Sequence, residues 1–301
     1  MDDFTKAYYE ISFERDFLKK KGDDFQNLFC EIMELRYPAD FMRTRPWGKL
    51  GDKKNDGYLH SKRTLFQVYA PETEMEAKKA IKKIKEDFEG AKPYWEEHFD
   101  TWVFTHNSRN GLNPPINKLL LELKSAKPPD VAWWGYAELR GEVIQLEDSA
   151  LAKLFGVAPN RITMLRVGYE NLRTVLAHIA RQNMPSNGPI LPVPPGKLEY
   201  NALSGHVQLL LNVGRQRADK VDLFFREWHD PTYGDQLAQT FTLRYKELKA
   251  QGLPPDDIFT ELQAFAGGDK RGSAEHEAAV LTILAYFFEK CDIFERPPEG
   301  V

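Results

Sequence analysis

The sequence predicts an α/β N-terminal domain with a mixed sheet, followed by an all-α C-terminal domain. Tryptophan and strand-like apolar runs crowd the first half, the last third has helical periodicity, and a proline-rich segment lies between them. Proline lacks an amide donor and favours extended chain, which is typical of a linker. We therefore expect an α/β domain over residues 1–150, connecting helices over 151–183, a linker over 184–196 and a helical domain over 197–301.

The first half alternates between helical and strand-like patterns. Apolar residues recur every three or four positions between Asp23 and Arg36, which predicts the first helix. Short apolar runs predict strands at residues 39–45, 57–60, 63–70, 101–105 and 131–134. Helical patterns separate the last three of these strands, at residues 71–90 and 116–124. The predicted order is therefore αβββαβαβ, which contains an αβββαβ core.

The second half shows one helical pattern after another, with proline and glycine residues between them. The predicted helices cover residues 149–155, 161–181, 198–213, 218–229, 233–251, 256–265 and 274–290. We find no internal repeat, so we expect a compact bundle of amphipathic helices.

Composition limits the location and the partners. Of the 301 residues, 42% are hydrophobic, yet no apolar run approaches the roughly 20 residues of a membrane span. The acidic start at residues 1–4 is unlike a signal peptide, so we expect a cytoplasmic protein without membrane association. The net charge of -4 excludes a surface that is basic all over, and any nucleic acid must therefore contact a local basic face.

One short motif carries the chemistry of the first domain. The turn Gly51-Asp52-Lys53-Lys54-Asn55-Asp56-Gly57-Tyr58 leads, across Ser61-Lys62, to the strand segment Phe66-Gln67-Val68-Tyr69. This pair of segments resembles the Mrr-like branch of the PD-(D/E)xK superfamily, in which Asp-Gly is followed by a hairpin that carries Gln-x-Lys. The resemblance implies a restriction-endonuclease-like fold for the first domain.

The same resemblance implies a metal-dependent nuclease site. Enzymes of this kind hold Mg²⁺ or Mn²⁺ with hard oxygen ligands on adjacent strands, so that the ion bridges a phosphate and an attacking water. Asp56 would be the central metal ligand. The Gln67 side-chain oxygen and the Val68 carbonyl would be the further ligands. Glu31 would be the supporting helix carboxylate, with Asp52 as a secondary candidate.

One residue departs from the family pattern. The lysine that orients the attacking water falls on Tyr69 here, and a phenol with an ordinary pKa of ~10 is neutral near pH 7. Two interpretations stay open. Lys78, Lys79 or Lys82 reaches in from the next helix, or the site binds without cutting.

A plain hairpin turn is the simplest explanation of Asn55-Asp56-Gly57, because this tripeptide is common in turns. The predicted order of elements and the polar Gln67 inside an apolar strand argue for a functional site. His106 and Asn107, at the end of a predicted strand, are further candidates at its edge. Four more lysines are candidates for phosphate contacts: Lys53, Lys54, Lys83 and Lys85.

The second half carries its own resemblance. The segments that carry it are residues 154–159, Lys197-Leu198-Glu199-Tyr200-Asn201-Ala202-Leu203-Ser204, Phe224-Phe225, residues 241–248 and Asp257-Ile258-Phe259. They are similar to the C-terminal helical domains of bacterial ABC three-component systems. This similarity implies a domain that docks onto partners, namely an SMC-like ABC ATPase and a small middle component, in a system directed against phages or plasmids.

The sequence thus supports two main hypotheses. The first is a Mg²⁺-dependent nuclease subunit of a defence complex that hydrolyses nucleic acid, with DNA as the favoured substrate. The second is a catalytically inactive adaptor that binds nucleic acid or a partner within the same kind of system. An assembly scaffold and a homo-oligomer are also compatible with the sequence.

Overall fold

The chain forms two compact units in a computed structural model. Residues 13–150 make up one unit, the α/β unit, and residues 1–12 together with residues 151–301 make up the other, the helical unit. The structure describes residues 1–44, 53–73, 75–126, 128–181, 197–268, 272–290 and 293–295. Within these residues, every helix is too short or too polar to cross a bilayer.

A five-stranded mixed sheet organises the α/β unit. Its strands are β1 (Phe41–Arg43), β2 (Gly57–Leu59), β3 (Thr64–Tyr69), β4 (Thr101–His106) and β5 (Asp130–Trp134). They lie in sequence order across the sheet, with β1, β2 and β3 antiparallel and β3, β4 and β5 parallel. A 3-10 turn at residues 60–62 joins β2 to β3. The predicted mixed sheet is confirmed, and the strands follow one another along the chain as predicted.

Helices cover both faces of this sheet. They are α2 (Gly22–Arg36), α3 (Ala77–Trp95), α4 (Pro114–Ser125) and α5 (Tyr136–Val143). Leu65 of β3 packs in one apolar cluster with residues of α3 and α4, whereas the neighbouring Phe66 contacts Phe29 of α2 and Trp134 of β5. Because successive strand residues point to opposite faces, α3 and α4 cover one face and α2 covers the other.

Two helices of the first 150 residues were not predicted. The first is α1 (Asp3–Lys19), whose residues 3–12 belong to the helical unit and whose later residues belong to the α/β unit. Phe13 of this helix stacks on Tyr136, at the start of α5, and Phe17 meets the same ring edge-on. Helix α5 is the second unpredicted helix. Helix α1 buries aromatic residues among charged ones and α5 is only eight residues long, so neither shows a clear apolar stripe in the sequence.

The helical unit is built around its last helix. Its other elements are α6 (Asp148–Phe155), α7 (Arg161–Leu165), α8 (Tyr169–Ala180), α9 (Lys197–Tyr200), α10 (Gly205–Arg215), α11 (Ala218–Glu227), α12 (Tyr233–Ala250) and α13 (Pro255–Gly267). Helix α14 (Ala274–Lys290) is buried on all sides from Glu277 to Phe288 and packs against α8, α10, α11 and α13. A helix that is apolar around its whole circumference is expected at such a central position.

Two of the predicted helices are interrupted. Residues 161–181 form α7 and α8 rather than one helix, because the chain turns at Gly168. Residues 198–213 are divided between α9 and α10 by Ala202, whose φ is positive, and by Ser204, whose hydroxyl caps α10. The predicted linker at 184–196 lies outside the described residues.

Candidate functional site

Asp56 lies just before β2, where it is buried and tied to β3. Its backbone amide donates to the Phe66 carbonyl at 2.9 Å. Its carboxylate accepts two hydrogen bonds, from the Val68 amide to Oδ2 at 2.6 Å and from Gln26 Nε2 to Oδ1 at 2.7 Å. Only 3% of the residue is exposed. The sequence therefore places a carboxylate inside the α/β unit, and neutral amides stabilise it there.

Gln67 lies in the middle of β3, as predicted, and is also 3% exposed. It shares the α3 and α4 side of the sheet with Leu65 and Tyr69, because alternate strand residues face the same way. Its side-chain oxygen Oε1 is buried and has no hydrogen-bond partner among the residues that the structure describes. An unsatisfied buried acceptor is costly, so this atom marks a position where a donor or a cation would be favourable.

The helix that faces Asp56 presents Gln26 and Cys30, and not the predicted Glu31. The Cys30 thiol is 3.6 Å from the Asp56 carbonyl, to which it donates, and burial raises its pKa to about 12. Glu31 is exposed. One helical turn places Gln26 and Cys30 on the same face, which is the face toward the sheet. The supporting carboxylate predicted on α2 is thus replaced by a neutral amide.

Tyr69 occupies the position of the family's lysine and belongs to the core. Its ring lies 6.2 Å from the ring of Phe104 at a tilted angle, and it packs against the apolar cluster beneath α3. The register pairs Tyr69 with His106 on β4. The side chain at this position therefore contributes apolar packing to the sheet face.

The three α3 lysines predicted to replace the missing cation point outward. Lys78, Lys79 and Lys82 are exposed. Within the described residues, Lys79 pairs with Glu76 at 2.7 Å and Lys82 with Glu86 at 3.7 Å. The hydrogen bond that Lys79 donates to Glu76 is the main reason that the pKa of Lys79 is raised, and Tyr69 adds a small electrostatic contribution. All three lysines thus lie on the solvent-facing side of α3.

Two of the predicted phosphate contacts meet at one buried carboxylate. Lys54 Nζ lies 2.9 Å from Asp87 Oδ1, and Lys83 Nζ lies 2.8 Å from Asp87 Oδ2. Asp87 belongs to α3 and is 1% exposed. Lys53 instead donates to the Tyr94 hydroxyl at 2.9 Å, while Lys85 is exposed. Lys53 and Lys54 therefore attach the turn before Asp56 to α3.

The turn itself is unusual for lysine. Lys53 and Lys54 both have positive φ, at 55° and 63°, which costs free energy for a residue with a side chain. Trp95 Nε1 donates to the Lys53 carbonyl at 3.0 Å and helps to hold this conformation. Asp52, the secondary candidate, lies outside the described residues.

His106 and Asn107 are buried at the end of β4. His106 Nδ1 accepts a hydrogen bond from the Ser108 amide at 3.2 Å. Burial lowers the pKa of His106 to about 4, so the ring is neutral near pH 7. A Cβ on Gly135 would lie 2.7 Å from the ring, which explains the glycine at the start of α5. His106 is therefore a buried neutral side chain that shapes the loop after β4.

The described residues do not fit the metal site that the resemblance implies. Both oxygens of Asp56 already accept hydrogen bonds, and the expected second carboxylate, Glu31, is exposed. Over the described part of the chain, no group of three or more His, Cys, Asp and Glu side chains is arranged to hold a metal ion. A Mg²⁺ ion needs several oxygen ligands in near-octahedral geometry.

Sequence reasoning missed Gln26 as the partner of Asp56. The available signal was its position, because Gln26 lies next to Phe25 on α2, one turn before Cys30. An amide in that place was less conspicuous than the carboxylates Glu31 and Glu34.

Comparison with known proteins identifies part of the second half. Residues 170–295 match the family model of C-terminal domain 10 (CTD10) of the ABC-three component (ABC-3C) systems. The match runs from α8 to the segment after α14 and covers less than half of the chain. A search of curated proteins found no match, and a search of solved structures found none either. The predicted resemblance of the second half is confirmed, while that of the α/β unit stays a prediction.

Proposed function

We propose that this chain is a component of an ABC three-component defence system, in which its α/β unit recognises nucleic acid without hydrolysing it. The match of residues 170–295 to CTD10 carries the first part of this proposal. In such a system the helical domain joins the chain to an SMC-like ABC ATPase and a small middle component. The α/β unit is then the module that meets the target.

The surroundings of Asp56 support binding of nucleic acid better than its hydrolysis. Its carboxylate is held by the neutral donors Gln26 and Val68, and Tyr69 packs against Phe104 where the family has a cation. A hydrolytic site needs a charge that orients water and an ion that stabilises the developing charge on phosphate. The family's lysine position holds the phenol of Tyr69, and over the described part of the chain no group of three or more His, Cys, Asp and Glu side chains is arranged to hold such an ion.

A basic stripe on α3 supports binding to phosphates. Lys78, Lys82 and Lys85 are spaced four and three residues apart, so they share one exposed face of the helix. They span seven residues, or about 10 Å along the helix. Lys82 has an exposed, long ion pair with Glu86 at 3.7 Å, which is worth little in water. The stripe is a local basic face on a chain with a net charge of -4.

Nucleic-acid binding is tested with the full chain and fluorescent single-stranded and double-stranded oligonucleotides. We expect the Lys78→Gln, Lys82→Gln, Lys85→Gln triple variant to weaken binding and to reduce its salt dependence, because fewer counterions are released. The matched control replaces three exposed lysines outside α3, namely Lys118, Lys153 and Lys246, by Gln. Equal losses in both triple variants, or no binding by the parent, would contradict the proposal.

Membership of the complex is tested by identifying genes for an SMC-like ABC ATPase and a small middle component beside this chain's gene and co-expressing the three. We expect the full chain to co-purify with them. Elution of the chain alone, with both other components present and folded, would count against the assembly.

Mg²⁺-dependent hydrolysis of phosphodiesters is the second candidate function. Gln67 Oε1 favours it, because this buried acceptor has no donor among the described residues and would be a natural ligand for a cation. Incubation of labelled DNA or RNA with Mg²⁺ or Mn²⁺ distinguishes it from the first proposal. Cleavage that Asp56→Ala abolishes would support the nuclease.

A further inference from the structure

A cavity of about 330 Å³ opens at the end of the sheet where the parallel strands β3 and β4 finish. The loop after β3 provides Glu72, and the loop after β4 provides Asn107 and Leu112. Lys21, directly before α2, and Ile116 of α4 complete the residues that matter here. In open α/β sheets, ligands bind outside the carboxyl ends of parallel strands, and cavities of this size hold small molecules.

The loop after β4 is held in place by its own hydrogen bonds. Ser108 Oγ donates to the Gly111 carbonyl at 2.6 Å, and Asn117 Nδ2 donates to the Leu112 carbonyl at 3.0 Å. Asn113 Oδ1 accepts from the Ile116 amide at 3.3 Å and caps α4. This wall of the cavity is therefore formed before any ligand arrives, which lowers the entropic cost of binding.

The cavity contains one cation and one anion. Burial lowers the pKa of Lys21, and the nearby Glu72 acts against this effect. Both residues are described, and they interact electrostatically without an ion pair within 4 Å. Glu72 Oε1 lies so close to Gly22 that a Cβ there would be 2.8 Å away. The two opposite charges are thus available to two different groups of one ligand.

This charge pattern disfavours a phosphate. Glu72 is in the cavity wall, and Asp23 and Asp24 occupy the first turn of α2. These carboxylates repel an anion at that helix end. A neutral ligand that carries a donor and an acceptor on one edge, with an apolar face for Leu112, fits the wall better.

We propose that this cavity binds an unpaired nucleobase and that guanine fits it best. The Lys21 ammonium donates to the O6 acceptor, the Glu72 carboxylate accepts from the N1 and N2 donors of the same edge, and Asn107 offers both kinds of group. Apolar contact with the half-buried Leu112 covers part of one face of the base. Proteins that read single strands likewise contact the Watson–Crick edge of unstacked bases. The inference rests on the proposed recognition of nucleic acid.

The experiment titrates the full chain with free guanosine, cytidine, adenosine and uridine, and follows binding by calorimetry. We expect guanosine to bind most tightly. Glu72→Gln should weaken guanosine binding about ten- to hundred-fold, because it removes hydrogen bonds to a charged group. Lys21→Met should weaken it as well. The matched control is Glu122→Gln, which removes an exposed carboxylate of α4 and should leave the affinity unchanged.

Three results overturn the inference: no nucleoside binds at millimolar concentration, all four bind equally, or Glu72→Gln and Glu122→Gln behave alike. Its failure is distinct from failure of the proposed function. Oligonucleotide binding that depends on the α3 lysines but shows no base preference would leave the proposed function intact and remove the base pocket. If guanosine binds and Glu72→Gln weakens that binding, but the chain binds no oligonucleotide, the base pocket stands and the proposed function fails.

Discussion

The Val68 amide donates a 2.6 Å hydrogen bond to Asp56 Oδ2 and thereby ties the buried carboxylate to the centre of the sheet. A backbone amide that serves a carboxylate in this way stabilises its charged form. With Gln26 on the other oxygen, Asp56 has a neutral partner on each side. Asp56 therefore has a structural role in the α/β unit that does not depend on a metal ion.

Replacing Gln26 by Leu should lower the free energy of unfolding by about 1–3 kcal/mol, because the buried hydrogen bond from Gln26 Nε2 to Asp56 Oδ1 is lost. Glu31→Gln, on the exposed side of the same helix, should change it by less than about 0.5 kcal/mol. Urea denaturation measures both. If Glu31→Gln costs more than Gln26→Leu, Glu31 is the important helix residue and our assignment is wrong.

Gly57→Ala should destabilise the chain by about 1–3 kcal/mol through overpacking. A Cβ at this position would lie 2.2 Å from the ring of Phe41, which itself packs against Phe29 and Phe66. Gly141→Ala, in α5, is the control because, apart from its chain neighbours and the backbone of its own helix, no described atom lies within 4 Å of the added Cβ. That change should be neutral or stabilise by up to about 1 kcal/mol. Thermal unfolding of the two variants compares them, and equal melting temperatures would refute the close approach.

Acid should destabilise the α/β unit through His106. Its folded-state pKa of about 4 lies below the ordinary value of 6.5, so below pH 6.5 the unfolded chain binds a proton that the folded chain excludes. Stability should therefore fall as the pH drops from 6.5 to about 4, by about 3 kcal/mol in total for this group.

His106→Gln should remove that part of the pH dependence, whereas His60→Gln, at an exposed histidine, should leave it unchanged. Urea midpoints between pH 4.5 and 7 provide the measurement. An unaltered slope in His106→Gln would mean that the ring is protonated in the folded protein.

Tyr69→Lys restores the residue type that the family has, but it should not create a nuclease. The variant loses the contact with Phe104 and should be destabilised by about 0.5–3 kcal/mol, while Tyr69→Phe should be close to the parent. Asp56 keeps its two neutral partners in either case. Cleavage of DNA by Tyr69→Lys alone, with an inactive parent, would show that only the lysine was missing.

The sequence predicted the sheet well because its strands are short apolar runs separated by clear turns. Asp56 and Gln67 were placed at the start of β2 and in the middle of β3, where the structure has them. Their burial followed from the same pattern, since Leu65, Phe66 and Val68 surround Gln67 in the chain.

Long-range partners were not predictable in the same way. Gln26 is 30 residues from Asp56, and the pairing of Lys54 and Lys83 with Asp87 depends on how a turn with positive φ docks onto α3. Neither relation leaves a periodic signal. The break between α9 and α10 likewise depends on the positive φ of Ala202, a residue that ordinarily favours helix.

The most direct test of the account is to incubate the full chain with end-labelled DNA and RNA in the presence of Mg²⁺ or Mn²⁺, with and without its co-expressed partners. Native and denaturing gels then separate binding from cutting. We predict a shifted complex that contains intact nucleic acid, and weaker shifting by the Lys78→Gln, Lys82→Gln, Lys85→Gln variant. Metal-dependent cleavage that disappears in Asp56→Ala would contradict recognition without hydrolysis and establish the nuclease instead.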